Sequence, residues 1–231
     1  GHKVKILHQS TTYDVLVLEE EIVYLHLKVM SDLGSSYFTE VFPQIKDYKY
    51  FIIDIRDNLG GSDLGAFQLL SSFYDEIRNF QSFELTSDIE RMGSHFASHP
   101  QREFVYTQPE TCDLTDFRES GLDRIQADRL LLLTNYNTMS AAESLALLAS
   151  DLDSFLLIGT PTAGSCGLRY DVSLEDLGFT FAFTSKGSLD YDGQSLYGKG
   201  IEPDLLIEQT VDDLKQGIDT VLEAAIDQIL P

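Results

Sequence analysis

The most informative stretch of the chain reads Leu130-Leu-Leu-Leu133-Thr-Asn135-Tyr-Asn-Thr-Met-Ser140-Ala-Ala-Glu143-Ser-Leu-Ala-Leu-Leu-Ala-Ser150. Its apolar beginning predicts a buried strand, and the run after Ser140 predicts a helix. Ser140 would then lie where the carboxyl end of a strand meets the amino end of a helix. Backbone N–H groups at a helix start have no partner inside the helix, so they form a site that favours negative charge.

The same residues have a simpler interpretation. Ser140-Ala-Ala-Glu143 is a helix capping box, with Ser140 as the N-cap and Glu143 at the third helical position. Taken alone, this interpretation is the commoner one, because such four-residue patterns are frequent. The stretch is not a GxSxG nucleophile elbow either, since Thr138 and Ala142 stand where that motif has glycines.

Three other segments combine a predicted strand or turn with glycine. They read Phe51-Ile-Ile-Asp54-Ile-Arg56-Asp-Asn58-Leu-Gly60-Gly61-Ser62, Gly159-Thr160-Pro161-Thr162-Ala-Gly164-Ser165 and Gly198-Lys-Gly200-Ile-Glu-Pro203-Asp204. Gly61 allows the backbone to approach a substrate without an intervening Cβ. By itself, Gly60-Gly61 is also an ordinary turn between a strand and a helix.

In this order the four segments resemble the tail-specific, or C-terminal processing, serine peptidases and their relatives in the tricorn protease core. The resemblance runs from about Glu21 to the end of the chain. It implies that Ser140 is the nucleophile and that the N–H groups of Gly61 and Ala141 form the oxyanion hole. Gly60 and Ser165 would lie near the site. A serine hydroxyl needs a base beside it, and two preorganised N–H donors stabilise the oxyanion of acyl transfer.

The chain departs from that family at the general base. The tail-specific branch has a lysine where this chain has Ser165, so the resemblance is closer to the tricorn-like branch. That branch uses a histidine from an upstream segment and a glutamate whose position here is Tyr197. The histidines and lysines considered as alternative bases are His2, His8, His26, His95, His99, Lys186 and Lys199.

Composition limits the classes of function. The 231 residues are 43% hydrophobic and 23% charged, as expected of a globular chain that can form one sizeable core. The formal net charge of -22 disfavours binding to nucleic acid or to anionic membranes. Cys112 and Cys166 form no CxxC motif or Cys/His cluster, so no metal or other cofactor is expected. No signal peptide or membrane span is apparent, and the resemblance implies an extracytoplasmic enzyme whose targeting segment lies outside this chain.

Strands that alternate with helices predict an α/β fold with a largely parallel central sheet. The resemblance adds a ClpP/crotonase-like spiral, with residues 1–20 as the edge of an upstream segment and 21–231 as the catalytic domain. A helix is predicted from Ser35 to Ile45, strained by Pro43, and the apolar spacing from Leu64 to Ile77 predicts another. Thr210 should cap a final helix that extends to Ile229. Residues 91–122 form the least regular part of the chain and are interpreted as an insertion or loop over the site.

Three functions are compatible with these features. The first is a serine endopeptidase that cleaves polypeptides through an acyl-enzyme on Ser140. The second is a non-catalytic binding module on the same fold. The third is a crotonase-type acyl-thioester enzyme, which shares the oxyanion hole but needs no serine nucleophile.

Overall fold

The computed structural model describes residues 2–79, 81–85, 104–106 and 110–230. Within these residues the largest unit is a seven-stranded sheet with the strand order β1-β2-β3-β4-β9-β10-β13. The strands are β1 (Val4–Gln9), β2 (Tyr13–Leu18), β3 (Ile22–Leu27), β4 (Tyr50–Asp54), β5 (Glu76–Arg78), β6 (Gln81–Leu85), β7 (Phe104–Tyr106), β8 (Thr111–Asp113), β9 (Arg129–Thr134), β10 (Phe155–Gly159), β11 (Gly167–Leu174), β12 (Phe179–Leu189) and β13 (Leu205–Leu206).

The strands from β3 to β13 of this sheet run parallel, whereas β1, β2 and β3 form an antiparallel meander at one edge. The α-helices are α1 (Gly34–Ser36), α2 (Phe42–Ile45), α3 (Asp63–Ser71), α4 (Ala141–Ser150), α5 (Val211–Gln216) and α6 (Thr220–Asp227). The predicted α/β class with a largely parallel central sheet is therefore confirmed. Among the described helices, none has the length and apolar character needed to cross a bilayer.

Both faces of the central sheet are covered. Leu130 and Leu132 belong to the larger apolar cluster, which includes residues of α3 and α4, while Leu131 and Leu133 belong to a second cluster with α6. Successive side chains of a strand point to opposite faces, so a strand buried on both sides needs an unbroken apolar run. That requirement explains the four consecutive leucines of β9, and it places α4 and Ser140 on the α3 side of the sheet.

Two smaller sheets complete the described architecture. Strands β11, β12, β6 and β7 form an antiparallel sheet, and β5 pairs with β8. Within residues 91–122, the segment predicted to be irregular, the described residues include β7 and β8, which belong to these two sheets.

The helix predicted from the spacing of Leu64 to Ile77 is shorter than expected. It ends at Ser71, and Ile77 lies instead in β5, where it pairs with Cys112 of β8. Phe73 and Ile77 are nevertheless buried. The helical spacing continued beyond the helix because a turn and a short strand also direct apolar side chains into the core.

The prediction of a single final helix from Thr210 to Ile229 is also wrong, since Gly217 divides this segment into α5 and α6. Gly217 adopts a left-handed φ of 72° and donates its N–H to Leu214, and the next N–H, of Ile218, reaches back to Asp213. This is the glycine-based helix end that a residue with a Cβ forms only with strain. Asp219 then caps α6 by accepting a hydrogen bond from the N–H of Leu222. Thr210 caps α5, as predicted.

The helical segment predicted from Ser35 to Ile45 runs from Gly34 and contains a π-helical turn, Tyr37–Val41, just before Pro43. Pro43 has no N–H and cannot extend a regular helix, so it is tolerated at the start of α2 after the wider turn.

Candidate active site

Ser140 occupies the N-cap position of α4, directly after the turn that follows β9, as predicted. Its backbone has φ 54° and ψ −125°, a combination outside the regions that side chains other than glycine normally adopt. The preceding turn is held by Thr138, which donates its N–H to the carbonyl of Asn135 and its hydroxyl to the carbonyl of Ile55. Ser140 is therefore fixed at the carboxyl end of the sheet, half-buried and in a strained conformation.

The loop after β4 that contains Gly60 and Gly61, called the glycine loop below, lies against Ser140. A Cβ built on Gly60 would lie 2.5 Å from the Cβ of Ser140 and 3.0 Å from its hydroxyl oxygen, so no side chain fits there. The two segments are joined by a hydrogen bond of 2.9 Å from the N–H of Met139 to the carbonyl of Asn58. The structure thus brings together Gly60 and Ser140, which are far apart in the sequence.

Two N–H groups at this junction are not used by the protein. Among the described residues, neither Gly61 nor Ala141 donates its backbone N–H to another residue. Ala141 is the first residue of α4, where an unpaired donor is expected. The Gly60 N–H, in contrast, donates to Asn58 Oδ1 over 2.9 Å. Gly61 and Ala141 are the two residues that sequence analysis assigned to an oxyanion hole.

Glu143 connects the start of α4 to the turn after β10. Its side chain is fully buried and accepts four hydrogen bonds. The donors are the Ser140 N–H (3.2 Å), the Thr162 hydroxyl (2.6 Å), the Gly164 N–H (2.7 Å) and the Ser165 N–H (2.7 Å). The capping-box interpretation is therefore correct, and it does not exclude a functional Ser140, because the same carboxylate fixes the backbone on both sides of the junction.

Ser165 lies beside Ser140, since both residues donate their N–H groups to Glu143 Oε2. Tyr197 is exposed, and the next residue, Gly198, donates its N–H to the carbonyl of Gly164 over 2.7 Å. The positions at which the two family branches carry a lysine and a glutamate thus lie on adjoining turns. In this chain they carry a hydroxyl and a phenol, and neither is a base near neutral pH.

The candidate bases are distributed widely. His2 contacts Glu19 and Glu223, whose hydrogen bonds raise its pKa, and His8 stacks on Tyr13 at the edge of the sheet. Lys199 is exposed. His95 and His99 lie outside the described residues, as does the side chain of Lys186.

Cys166, the residue after Ser165, is buried. It lies between the hydroxyls of Ser144 and Ser188, and burial raises the pKa of its thiol to about 11. A thiol in that state is a packed core group rather than a nucleophile. No group of three or more His, Cys, Asp or Glu side chains able to hold a metal ion occurs in the described part of the chain.

Sequence analysis did not single out Asn58 or the ion pair cluster of Asp54, Arg56 and Asp219. Asn58 is fully buried, and Arg56 donates hydrogen bonds to both carboxylates. The one available signal was the position of Asp54, Arg56 and Asn58 at and just after the end of a buried strand, where polar side chains meet the carboxyl edge of the sheet, and no such signal marked Asp219.

A cleft of about 580 Å³ opens on the α6 side of these loops. Its lining includes Tyr24, His26, Asp57, Asn135 and Asp219, and it does not include Ser140 or the two glycines. Asp57 accepts hydrogen bonds from the side-chain amides of Asn135 and Asn137, so the cleft and the Ser140 junction share the same two loops on opposite sides of the sheet.

Several solved structures share this fold. A protein from Parabacteroides merdae, assigned as a peptidase without proof of activity, is 25% identical, with a TM-score of 0.77, and the match covers 99% of this chain and 67% of that one. Mature CPAF in complex with lactacystin is 15% identical, with a TM-score of 0.67 and coverage of 97% and 53%. The photosystem II D1 C-terminal processing protease is 19% identical, with a TM-score of 0.54 and coverage of 81% and 42%.

This chain therefore spans between about two fifths and two thirds of the length of these proteins. The matches confirm the ClpP/crotonase-like fold predicted from the sequence. The model of peptidase family S41 matches residues 21–207, which include the glycine loop, Ser140 and the turn at Ser165. The chain belongs to peptidase family S41.

Proposed function

We propose that this chain is the catalytic part of a serine endopeptidase that cleaves polypeptides through an acyl-enzyme on Ser140. The observation that carries the proposal is the junction of Ser140 with Gly60, where the N–H groups of Gly61 and Ala141 have no partner among the described residues. A strained serine at the amino end of a ten-residue helix, beside two unpaired N–H groups, supplies the nucleophile and the oxyanion donors of acyl transfer, and a general base must complete the site.

The reaction proceeds in two halves. The Ser140 hydroxyl oxygen attacks the carbonyl carbon of the peptide bond while its proton passes to a general base. The carbonyl oxygen becomes an oxyanion that accepts hydrogen bonds from Gly61 and Ala141. Collapse of this intermediate breaks the C–N bond, and the amine leaves with the proton held by the base. Water then hydrolyses the ester in the same way, so no cofactor is required.

We propose further that the general base comes from an upstream segment, as the resemblance to the tricorn-like branch implies. Ser165 and Tyr197 cannot accept the proton near neutral pH, and His2 and His8 are engaged elsewhere. A histidine supplied by an upstream segment, as in the tricorn-like branch, completes the site in this proposal. General-base assistance is typically worth about 10²–10⁴ in rate, so the chain alone should have little activity.

The experiment compares this 231-residue chain with the full-length protein on an unfolded polypeptide, each beside its Ser140→Ala variant. We expect activity that depends on Ser140 in the full-length protein and at least about 10² less in the isolated chain. Equal, Ser140-dependent activity in both would overturn the upstream base and would direct mutagenesis to His95, His99, Lys186 and Lys199.

A fluorophosphonate probe tests the nucleophile independently of any substrate. The full-length protein should be labelled at Ser140, as located by peptide mass spectrometry, and Ser140→Ala should not be labelled. Absence of labelling in a folded, full-length protein would contradict the peptidase proposal. The family resemblance also supports an extracytoplasmic location, which fractionation of cells that express the native protein would test.

A further inference from the structure

The glycine loop has two consecutive backbone donors, the N–H groups of Gly60 and Gly61, and one of them is already bonded within the protein. The Gly60 N–H donates to Asn58 Oδ1 over 2.9 Å, whereas the Gly61 N–H donates to no described residue. Which of the two amides remains free determines which one can meet an oxyanion.

The peptide unit between Gly60 and Gly61 is held from the other side. The Met30 N–H donates to the Gly60 carbonyl over 3.0 Å, and the Ser62 N–H donates to the Met30 carbonyl over 2.8 Å. Because a trans peptide is planar and its C=O and N–H point in opposite directions, the Gly61 N–H points away from Met30. Glycine pairs have little intrinsic preference for one peptide orientation, and both residues have positive φ, 97° and 143°. The orientation therefore depends on these hydrogen bonds.

Asn58 joins the three segments that meet at this point. Its side-chain amide donates to the Leu27 carbonyl over 2.8 Å at the end of β3, and its Oδ1 accepts from Gly60. Its own carbonyl accepts from Met139, the residue before Ser140. The side chain is fully buried, so its removal takes from the Gly60 N–H and the Leu27 carbonyl the protein partners that they have here.

We propose that Asn58 is a positioning residue for the oxyanion hole, one that binds the Gly60 amide so that the Gly61 amide alone is presented beside Ser140. This inference rests on the proposed function of Ser140 and extends it to a residue that touches neither substrate nor the reacting atoms. Without Asn58, the Gly60 amide is released and the loop before Gly61 loses one of its anchors, which leaves the Met30 bond to hold the Gly60–Gly61 peptide by itself, so the donor is less well preorganised for the transition state.

The test uses full-length protein with Asn58→Ala and a stability control, Tyr37→Phe. Tyr37 is also fully buried and loses one hydrogen bond, to the Ser72 hydroxyl, but it lies in the helical segment before Pro43, away from the glycine loop. For each variant, kcat and KM on an unfolded polypeptide and the rate of fluorophosphonate labelling are measured at a temperature at which circular dichroism shows it folded.

Asn58→Ala should lower kcat and the labelling rate by about 10² or more, the usual effect of losing one oxyanion donor, with KM changed by less than about twofold. Tyr37→Phe should leave both rates within about twofold of the wild type, because its hydrogen bond supports only the fold. Asn58→Ser, whose uncharged hydroxyl can still accept from an N–H two residues on but does not donate to Leu27, should retain more kcat than Asn58→Ala. Should Asn58→Ala not fold, Asn58→Leu replaces it, because leucine has the branched shape of asparagine but no acceptor for the Gly60 amide.

Two negative results have different meanings. A wild type that is labelled at Ser140, together with an Asn58→Ala variant that is labelled as fast and has unchanged kcat, overturns the positioning role alone. A wild type that is not labelled and whose activity survives Ser140→Ala overturns both this inference and the proposed function.

Discussion

At the scale of single residues, Ser140 stores backbone strain in the place where the proposed chemistry occurs. Its φ of 54° and ψ of −125° lie in a region that is populated mainly by glycine. A residue held this way costs about 1–3 kcal/mol, and it persists because the surrounding contacts impose the conformation. Here those contacts are the packing of Gly60 and the bond from the Ser140 N–H to Glu143.

The strain can be measured with two substitutions that both remove the hydroxyl. We expect Ser140→Gly to have a free energy of unfolding about 1–2 kcal/mol higher than that of Ser140→Ala, because glycine relieves the strain and is also the better N-cap. Urea denaturation of both variants measures the difference.

The matched control is Ser62, the N-cap of α3, which has an ordinary φ of −114° and ψ of 131°. The difference in unfolding free energy between Ser62→Gly and Ser62→Ala should be smaller than the difference at Ser140, since only the capping preference remains. Equal advantages at the two positions would contradict the strain at Ser140.

Glu143 provides a second prediction at this scale. Replacing it with Gln places an NH₂ group where the carboxylate now accepts bonds from backbone N–H groups and a hydroxyl. Because buried donors lose a charged acceptor, Glu143→Gln should lower the free energy of unfolding by about 2–4 kcal/mol. Chemical denaturation is the measurement, with the exposed Glu175→Gln as the control, which should change little. A cost below about 1 kcal/mol for Glu143→Gln would show that the four bonds contribute little.

At the scale of secondary-structure elements, a cluster of charges fastens α6 to the central sheet. Arg56, just after β4, donates to Asp54 and to Asp219, and Asp219 also caps α6. Tyr24 of β3 donates its hydroxyl to Asp54 over 2.6 Å. The half-buried guanidinium of Arg56 and its partner Asp54 thus link β3 and β4 to a helix near the end of the chain.

The ion pair between Arg56 and Asp219 predicts how the free energy of unfolding depends on pH. Burial opposes the ionisation of Asp219, but its hydrogen bonds from Arg56 and from the start of α6 hold its pKa below the ordinary value. A carboxyl whose pKa is lower in the folded state contributes stability above its unfolded pKa and loses that contribution as the pH falls toward the folded value. Asp219→Asn should therefore be less stable than the wild type at neutral pH, by about 1 kcal/mol because the side chain is partly exposed. The difference in unfolding free energy between the wild type and Asp219→Asn should become smaller below about pH 4.

Urea denaturation from pH 7 down to pH 3 follows the gap between the two proteins. Asp212→Asn serves as the control, because that carboxylate lies on α5 and is highly exposed beside Lys215. If the difference in unfolding free energy between Asp219→Asn and the wild type is the same at every pH, ionisation of Asp219 does not support the attachment of α6.

At the scale of the whole molecule, the dominant property is charge. A formal net charge of -22 on 231 residues implies self-repulsion that opposes the compact state. The described basic side chains are largely committed to ion pairs, as Lys28 is with Asp14 and Arg118 with Asp75. Many carboxylates therefore face water and one another.

Salt should accordingly stabilise this protein. Raising sodium chloride from about 10 mM to about 0.5 M shortens the range of the repulsion to a few ångströms, and we expect a gain in unfolding free energy on the order of 1 kcal/mol. A variant that neutralises the exposed Asp153, Glu119 and Asp176 should show a shallower dependence on salt. Stability that does not change with salt in either protein would refute the importance of the net charge.

The sequence by itself was enough for features that depend on neighbouring residues. Four consecutive leucines predicted the doubly buried strand β9, and the Ser-Ala-Ala-Glu pattern placed Ser140 at the start of α4. Thr210 was recognisable as a cap, since a cap bonds within three residues of itself. These interactions form wherever the local sequence allows, so the local pattern contains the information.

Tertiary structure alone decided the partners of those residues. The Glu143 carboxylate meets Thr162 and Ser165, 19 and 22 residues away, and Arg56 meets Asp219, 163 residues away. Gly60 packs on Ser140 because the parallel register of β4 and β9 places the ends of both strands at one edge of the sheet. Hydrophobic spacing specifies which face of an element is buried but not which distant loop it meets. It also failed to locate the end of α3 at Ser71, because a turn and a strand bury the same side chains that a longer helix would have buried.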